Sequence, residues 1–147
     1  MPVVLLDTNI WVSAFISPHG FPARLVDAWI SSEFDVVVSA PLLEEIADVL
    51  ARPRLQNKYR YTAKEIEQLL RLLYRRAMYV VPEGNLHLCR DPDDDLVLET
   101  AILGGAQYVV SRDDDLKGDS ELIAQMRARG IEILSVQHFL DRLQEST

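Results

Sequence analysis

The sequence predicts an α/β fold with a central, mainly parallel sheet, and two observations carry that prediction. Short apolar, β-branched runs alternate with amphipathic segments along the chain, as in strands joined by crossover helices. Acid-bearing segments also recur where the hydrophobic runs surface: Asp7 after Val3-Val4-Leu5-Leu6, Glu45 beyond Val36-Val37-Val38-Ser39, and Asp113 after Tyr108-Val109-Val110-Ser111. In open parallel sheets, ligands bind outside the carboxyl ends of the strands, where such residues lie.

The first strand spans 3–6 and runs into Asp7-Thr8-Asn9, all residues that can cap a helix near 9–17. A helix near 22–32, a strand at 35–38 and a helix near 41–51 follow. On that last helix Leu42, Leu43, Ile46, Val49 and Leu50 form one stripe, which Glu45 borders, while Glu44 and Asp48 lie on the far side. Beyond Pro53 and a basic, aromatic stretch, Ile66, Leu69, Leu70 and Leu73 recur at helical spacing within 63–77. A short extended piece near 79–81 and a loop around Pro82 to Asn85 precede a helix near 92–103, with Asp91 as N-cap and Pro92 as first helical residue. The closing elements are a strand at 107–110, a helix near 119–129, a strand at 131–134 and a helix from about 136. Gly130 is placed to end one of these helices and Ser135 to cap the next.

With 147 residues, 48% of them apolar, the chain has the size and composition of a single domain, 1–147, with a substantial core. No apolar run is long enough to span a bilayer and no signal-type segment opens the chain, so the expectation is a soluble, cytoplasmic protein with no membrane partner. Cys89 is the sole cysteine, which rules out an intramolecular disulfide and a Cys-based zinc site and leaves a buried or half-buried structural thiol. The net charge of −8 argues against nucleic acid. Local sign can differ: the acids concentrate in Asp91–Asp95 and Asp113–Asp115, while Arg52, Arg54, Lys58 and Arg60, and Arg71, Arg75 and Arg76, form basic clusters.

Four acidic segments thus converge on one expected sheet edge, an arrangement that suits a metal site. Carboxylates gathered within several ångströms persist ionised with cations or basic partners, and all-oxygen ligation suits Mg²⁺ or Mn²⁺. In the third segment Asp94 has Val97, Leu98 and Ala101 at +3, +4 and +7, on the buried stripe, whereas Asp95 lies at its edge; Asp94 is preferred, with Asp95 next. Asp91, Asp93 and Asp95 mimic the first ligands of an EF-hand loop, but Leu96 replaces the required glycine and Ile102 the bidentate glutamate.

These residues resemble the PIN domain family, in particular its toxin members in toxin-antitoxin systems. Val4-Leu5-Leu6-Asp7-Thr8-Asn9 is similar to the family's opening motif, and 38–46 to the segment that carries its glutamate. Asp91–Asp95 through Ala101, with 105–113, is similar to its closing half. The resemblance runs from about residue 2 to 117 and implies a three-layer α/β/α sandwich. It also implies an acidic quartet of Asp7, Glu45, Asp94 and Asp113 in a Mg²⁺- or Mn²⁺-dependent ribonuclease, with Asp7, Asp94 and Asp113 as metal ligands. Ser111 takes the small-hydroxyl position where threonine is commoner. An RNA substrate, a homodimer and a cognate antitoxin that blocks the acidic groove complete the expectation. Two other classes stand beside it: a catalytically weak protein-binding module, and a phosphoaspartyl phosphatase with Asp7 as nucleophile. Asn9 stands where such phosphatases place a second aspartate.

Overall fold

The structure, a computed structural model, describes residues 1–112 and 114–145, the side chains of 114 and 115 excepted. Five strands, β1 (Val3–Leu6), β2 (Asp35–Ser39), β3 (Met78–Val80), β4 (Tyr108–Val110) and β5 (Glu132–Leu134), form one sheet in the order β3-β2-β1-β4-β5. Every pairing is parallel, with Val4 beside Val36 and Leu5 beside Val109. The central strand β1 is aliphatic at all four positions because helices cover both of its faces.

Strand alternation divides the core in two. Val4, Leu6, Val36 and Val38 project to one side, against α1 (Thr8–Ile16), α2 (Phe21–Ile30), α3 (Ala40–Leu50), α5 (Ala63–Arg76) and α9 (Val136–Glu145). Leu5, Val37, Val109 and Ile133 project to the other, against α6 (Pro92–Leu103) and α8 (Ser120–Ala128). The result is the expected three-layer α/β/α sandwich. On the first side Trp11 packs edge-on against Trp29, with ring centroids 5.4 Å apart, and its indole N–H donates to the Leu6 carbonyl, so a large buried ring carries no unmet donor.

Helix boundaries follow local chemistry. In α5, Thr62 and Glu65 form a reciprocal capping box. Gly130, at φ +79°, closes α8 as expected: its N–H reaches the Arg127 carbonyl, and that of Ile131 reaches Met126. Ser135 accepts from the His138 N–H and caps α9. Two short helices were not foreseen. The first, α4 (Pro53–Tyr59), buries no residue, so it leaves no apolar stripe in the sequence; the second, α7 (Asp114–Lys117), is a single turn. No helix among the described residues is long and apolar enough to cross a membrane.

α6 crosses the far face of the sheet and contacts β2, β1 and β4. It ends at Gly104, where a Cβ would run into the Val37 side chain. Overpacking of this kind costs about 1–3 kcal/mol. Gly104→Ala is therefore expected to lower the thermal midpoint by several degrees, and an unchanged midpoint in calorimetry would refute the close approach as a requirement.

Candidate active site

The sheet order reverses direction between β1 and β4, and the site forms at the carboxyl ends of these two strands, the usual crevice of an open parallel sheet. Asp7 leaves β1 with extended backbone, φ −65° and ψ 161°, and serves as the N-cap of α1. Its Oδ1 accepts from the Thr8 N–H at 2.8 Å, and its Oδ2 accepts from the hydroxyl of Ser111, which follows β4, at 2.8 Å. Next to this bridge Asn9 Oδ1 accepts from the Arg112 N–H at 3.2 Å. Both Asp7 and Ser111 are buried. The carboxylate is thus held in one orientation by donors from two neighbouring strand ends.

Asp7, Glu45, Asp93 and Asp94 line one cavity of about 420 Å³, with Asp91 and Arg52 also on its wall. Glu45 comes from α3, whose apolar stripe faces the core and leaves this residue exposed beside the cavity. Partial desolvation is the main cause that pushes the Glu45 carboxyl up from its ordinary value; the charges of Asp7, Asp93 and Asp91 push the same way. The Thr8 side chain opposes them by favouring the charged form. Yet Thr8 Oγ1 is buried without a well-formed hydrogen bond to any described residue.

The third acidic segment divides its carboxylates between two directions. Asp94 is half-buried and lines the cavity, whereas Asp95 is buried on another side of the helix. There Asp95 Oδ1 accepts from the N–H groups of Leu88 and Cys89, both at 2.8 Å. One turn on, Glu99 accepts from the backbone N–H groups of Glu83, Gly84, Asn85 and Leu86. This corrects the helical-wheel reading, which set Asp95 at the edge of the buried stripe. The segment between β3 and α6 covers that flank of α6 and is anchored by these carboxylates together with Leu86 and Leu88, which pack against the core on that side. Asp91 caps α6 by accepting from the Asp93 N–H at 2.9 Å.

Asp113 lies outside the described residues. Among the described residues, no group of three or more His, Cys, Asp or Glu side chains stands close enough to hold a metal ion. The donor chemistry still fits a hard cation: Asp7, Asp94 and Glu45 bring carboxylate oxygens to the wall of one cavity.

Cys89 is the half-buried thiol expected from its isolation. Burial, donation to Asp95 and the nearby charges of Asp95, Asp94 and Asp119 push its pKa up to about 12, which disfavours the thiolate. The basic clusters separate. Arg52 stands on the wall of the acidic cavity. Arg71 pairs with Glu67 at 2.6 Å, and Arg76 donates to the Ile30 carbonyl and lies over the Trp29 ring. Ile30 and Arg76 precede β2 and β3, so Arg76 sits at the amino edge of the parallel sheet, opposite the cavity.

Comparison with known proteins adds the family. The PIN domain model (PIN_3) matches residues 3–115. The chain belongs to the PIN domain family. This PIN domain is 29% identical over 113 residues to the uncharacterized protein MJ1680 of Methanocaldococcus jannaschii, covering 77% of this chain and 72% of that protein. Its fold is similar to that of a chain in VapBC2 from Rickettsia felis, bound to a DNA fragment from their promoter. That match has a TM-score of 0.58 and 16% identity, covering 90% of this chain and 98% of the other. A chain of FitAcB from Neisseria gonorrhoeae matches with a TM-score of 0.55 and 18% identity, over 92% of this chain and 99% of the other.

Proposed function

We propose that this PIN domain is a Mg²⁺- or Mn²⁺-dependent ribonuclease that hydrolyses RNA phosphodiester bonds, and that it is the toxin of a toxin-antitoxin pair. The observation that carries the nuclease reading is the Asp7 carboxylate, fixed by Thr8 and Ser111 at the β1/β4 switch point within a cavity shared with Asp94 and Glu45. The toxin assignment draws on the fold shared with chains of VapBC2 and FitAcB. A cognate antitoxin and a second copy of the chain are the proposed protein partners.

In this reading Asp7, Asp94 and Asp113 hold the cation. When bound, it supplies Lewis-acid stabilisation of the charge that develops on the phosphate. The hydrogen bonds from Thr8 and Ser111 fix the Asp7 carboxylate and spare it from reorienting during the reaction. Glu45, as a carboxylate beside the same cavity, orients the attacking water and accepts its proton. Ser111 acts through Asp7 as a positioning residue. Arg52 offsets the acidic wall where the RNA backbone approaches.

The test is cleavage of single-stranded RNA by nuclease-free preparations, with Mg²⁺ or Mn²⁺ and with chelator. Cleavage that requires the cation and is absent from an Asp7→Asn preparation is expected. Cleavage that persists unchanged in chelator would remove the metal from the mechanism.

A further inference from the structure

A second cavity, of about 610 Å³, adjoins the acidic one, and the charged side chains among its described lining residues are Arg112 and Lys117. Ser13 on α1 lines both. The remaining wall includes Ser17, Phe21, Arg112, Lys117 and Ser135. Arg112 is oriented by donation from Nη1 to Ser13 Oγ at 2.9 Å. Phe21, the first residue of α2, is 49% exposed although it is a large apolar side chain, and the Arg24 guanidinium lies over its ring at 5.2 Å. Arg24 thus covers one face of the ring, which stands at the rim of the cavity.

Together these features match what an unpaired nucleotide needs: a π-face for the base, cations for its phosphate and hydroxyls for the sugar-phosphate edge. We propose that this cavity is a single-stranded RNA subsite, in which Phe21 stacks a base next to the scissile bond while Arg112 binds the adjoining phosphate. The inference rests on the nuclease reading and deepens it. A strand held in the acidic cavity alone would lay phosphates against Asp7, Asp93 and Asp94; Arg112 anchors it through the next linkage. Stacking reads no hydrogen-bond code, so the subsite selects for unpaired strands rather than for a particular base.

The experiment measures binding of a fluorescent single-stranded RNA oligonucleotide to the Asp7→Asn protein across a salt series, with and without a second substitution. Phe21→Ala is expected to weaken binding about tenfold at unchanged salt slope, and Phe21→Trp to retain it. Arg112→Ala is expected to flatten the slope of log K against log salt by about 0.7. The same sequence as a duplex should bind more weakly than the single strand. Unchanged affinity and slope in both Phe21→Ala and Arg112→Ala, with folding verified by thermal melts, overturn the subsite even if wild type cleaves RNA. If those variants lose binding as described while wild type cleaves nothing, the subsite stands and the nuclease reading falls.

Discussion

Asp7→Asn is expected to abolish the proposed RNA cleavage and to leave the fold standing. Asparagine is as good an N-cap as aspartate, so the Thr8 N–H keeps its acceptor, and the amide can still hydrogen-bond Ser111. What disappears is the negative charge and one anionic oxygen facing the cavity. Loss of an outer partner of a metal ligand costs roughly 10–100-fold; loss of a ligand itself should exceed that, so a decrease of more than about 100-fold is expected. The thermal midpoint should move by no more than a few degrees, because one of the two donors is served unchanged. Turnover comparable to wild type from a correctly folded variant would remove Asp7 from the mechanism.

Glu99→Gln should produce the largest loss of stability among single polar replacements on α6. The Glu99 carboxylate is buried and accepts four backbone N–H groups, two on each oxygen. Burial pushes its pKa up, but the donors from Glu83, Leu86, Gly84 and Asn85 outweigh this and hold it below the usual carboxylate range. In the variant one acceptor oxygen becomes an amide that faces two donors. Charge-assisted hydrogen bonds are each worth about 1.5–3 kcal/mol, so a loss of about 3 kcal/mol is expected. For a chain of this size that is a fall in melting temperature of roughly 6–12 °C. The sign with pH is fixed by the lowered pKa. The stabilisation is complete above the unfolded-state value near 4.3 and is lost as pH falls through the folded value. Wild type and variant should therefore differ most at neutral pH and converge in acid. Equal melting temperatures at pH 7 would show that the segment between β3 and α6 is not anchored by this group.

Much of the architecture was legible in the sequence. The runs Val3-Val4-Leu5-Leu6 and Val36-Val37-Val38 read as buried parallel strands because helices cover both sides of the sheet, and apolar spacing placed α3, α5 and α6 within a residue or two. The helix α4 escaped because none of its residues is buried, so periodicity had nothing to register. The direction of the Asp95 side chain escaped for a related reason: a carboxylate buried against backbone N–H groups leaves the pattern of a solvated acid. The basic clusters looked equivalent along the chain, yet Arg52 reaches the cavity while Arg76 lies at the other edge of the sheet.

By itself the sequence determined that Asp7 follows a buried strand, that Glu45 borders an apolar helical stripe, and that an acidic run opens α6. These are local facts, set by hydrophobic periodicity and capping chemistry over a few residues. Only the tertiary structure decided which of the acids share a cavity. It turned Asp94 toward Asp7 and Asp95 into the protein, and it joined Asp7 to Ser111 across 104 positions of sequence. Strand order brings those strand ends together, and a covering segment creates a second buried flank on one helix. Both are products of long-range packing, and neither leaves a mark on the spacing of residues along the chain.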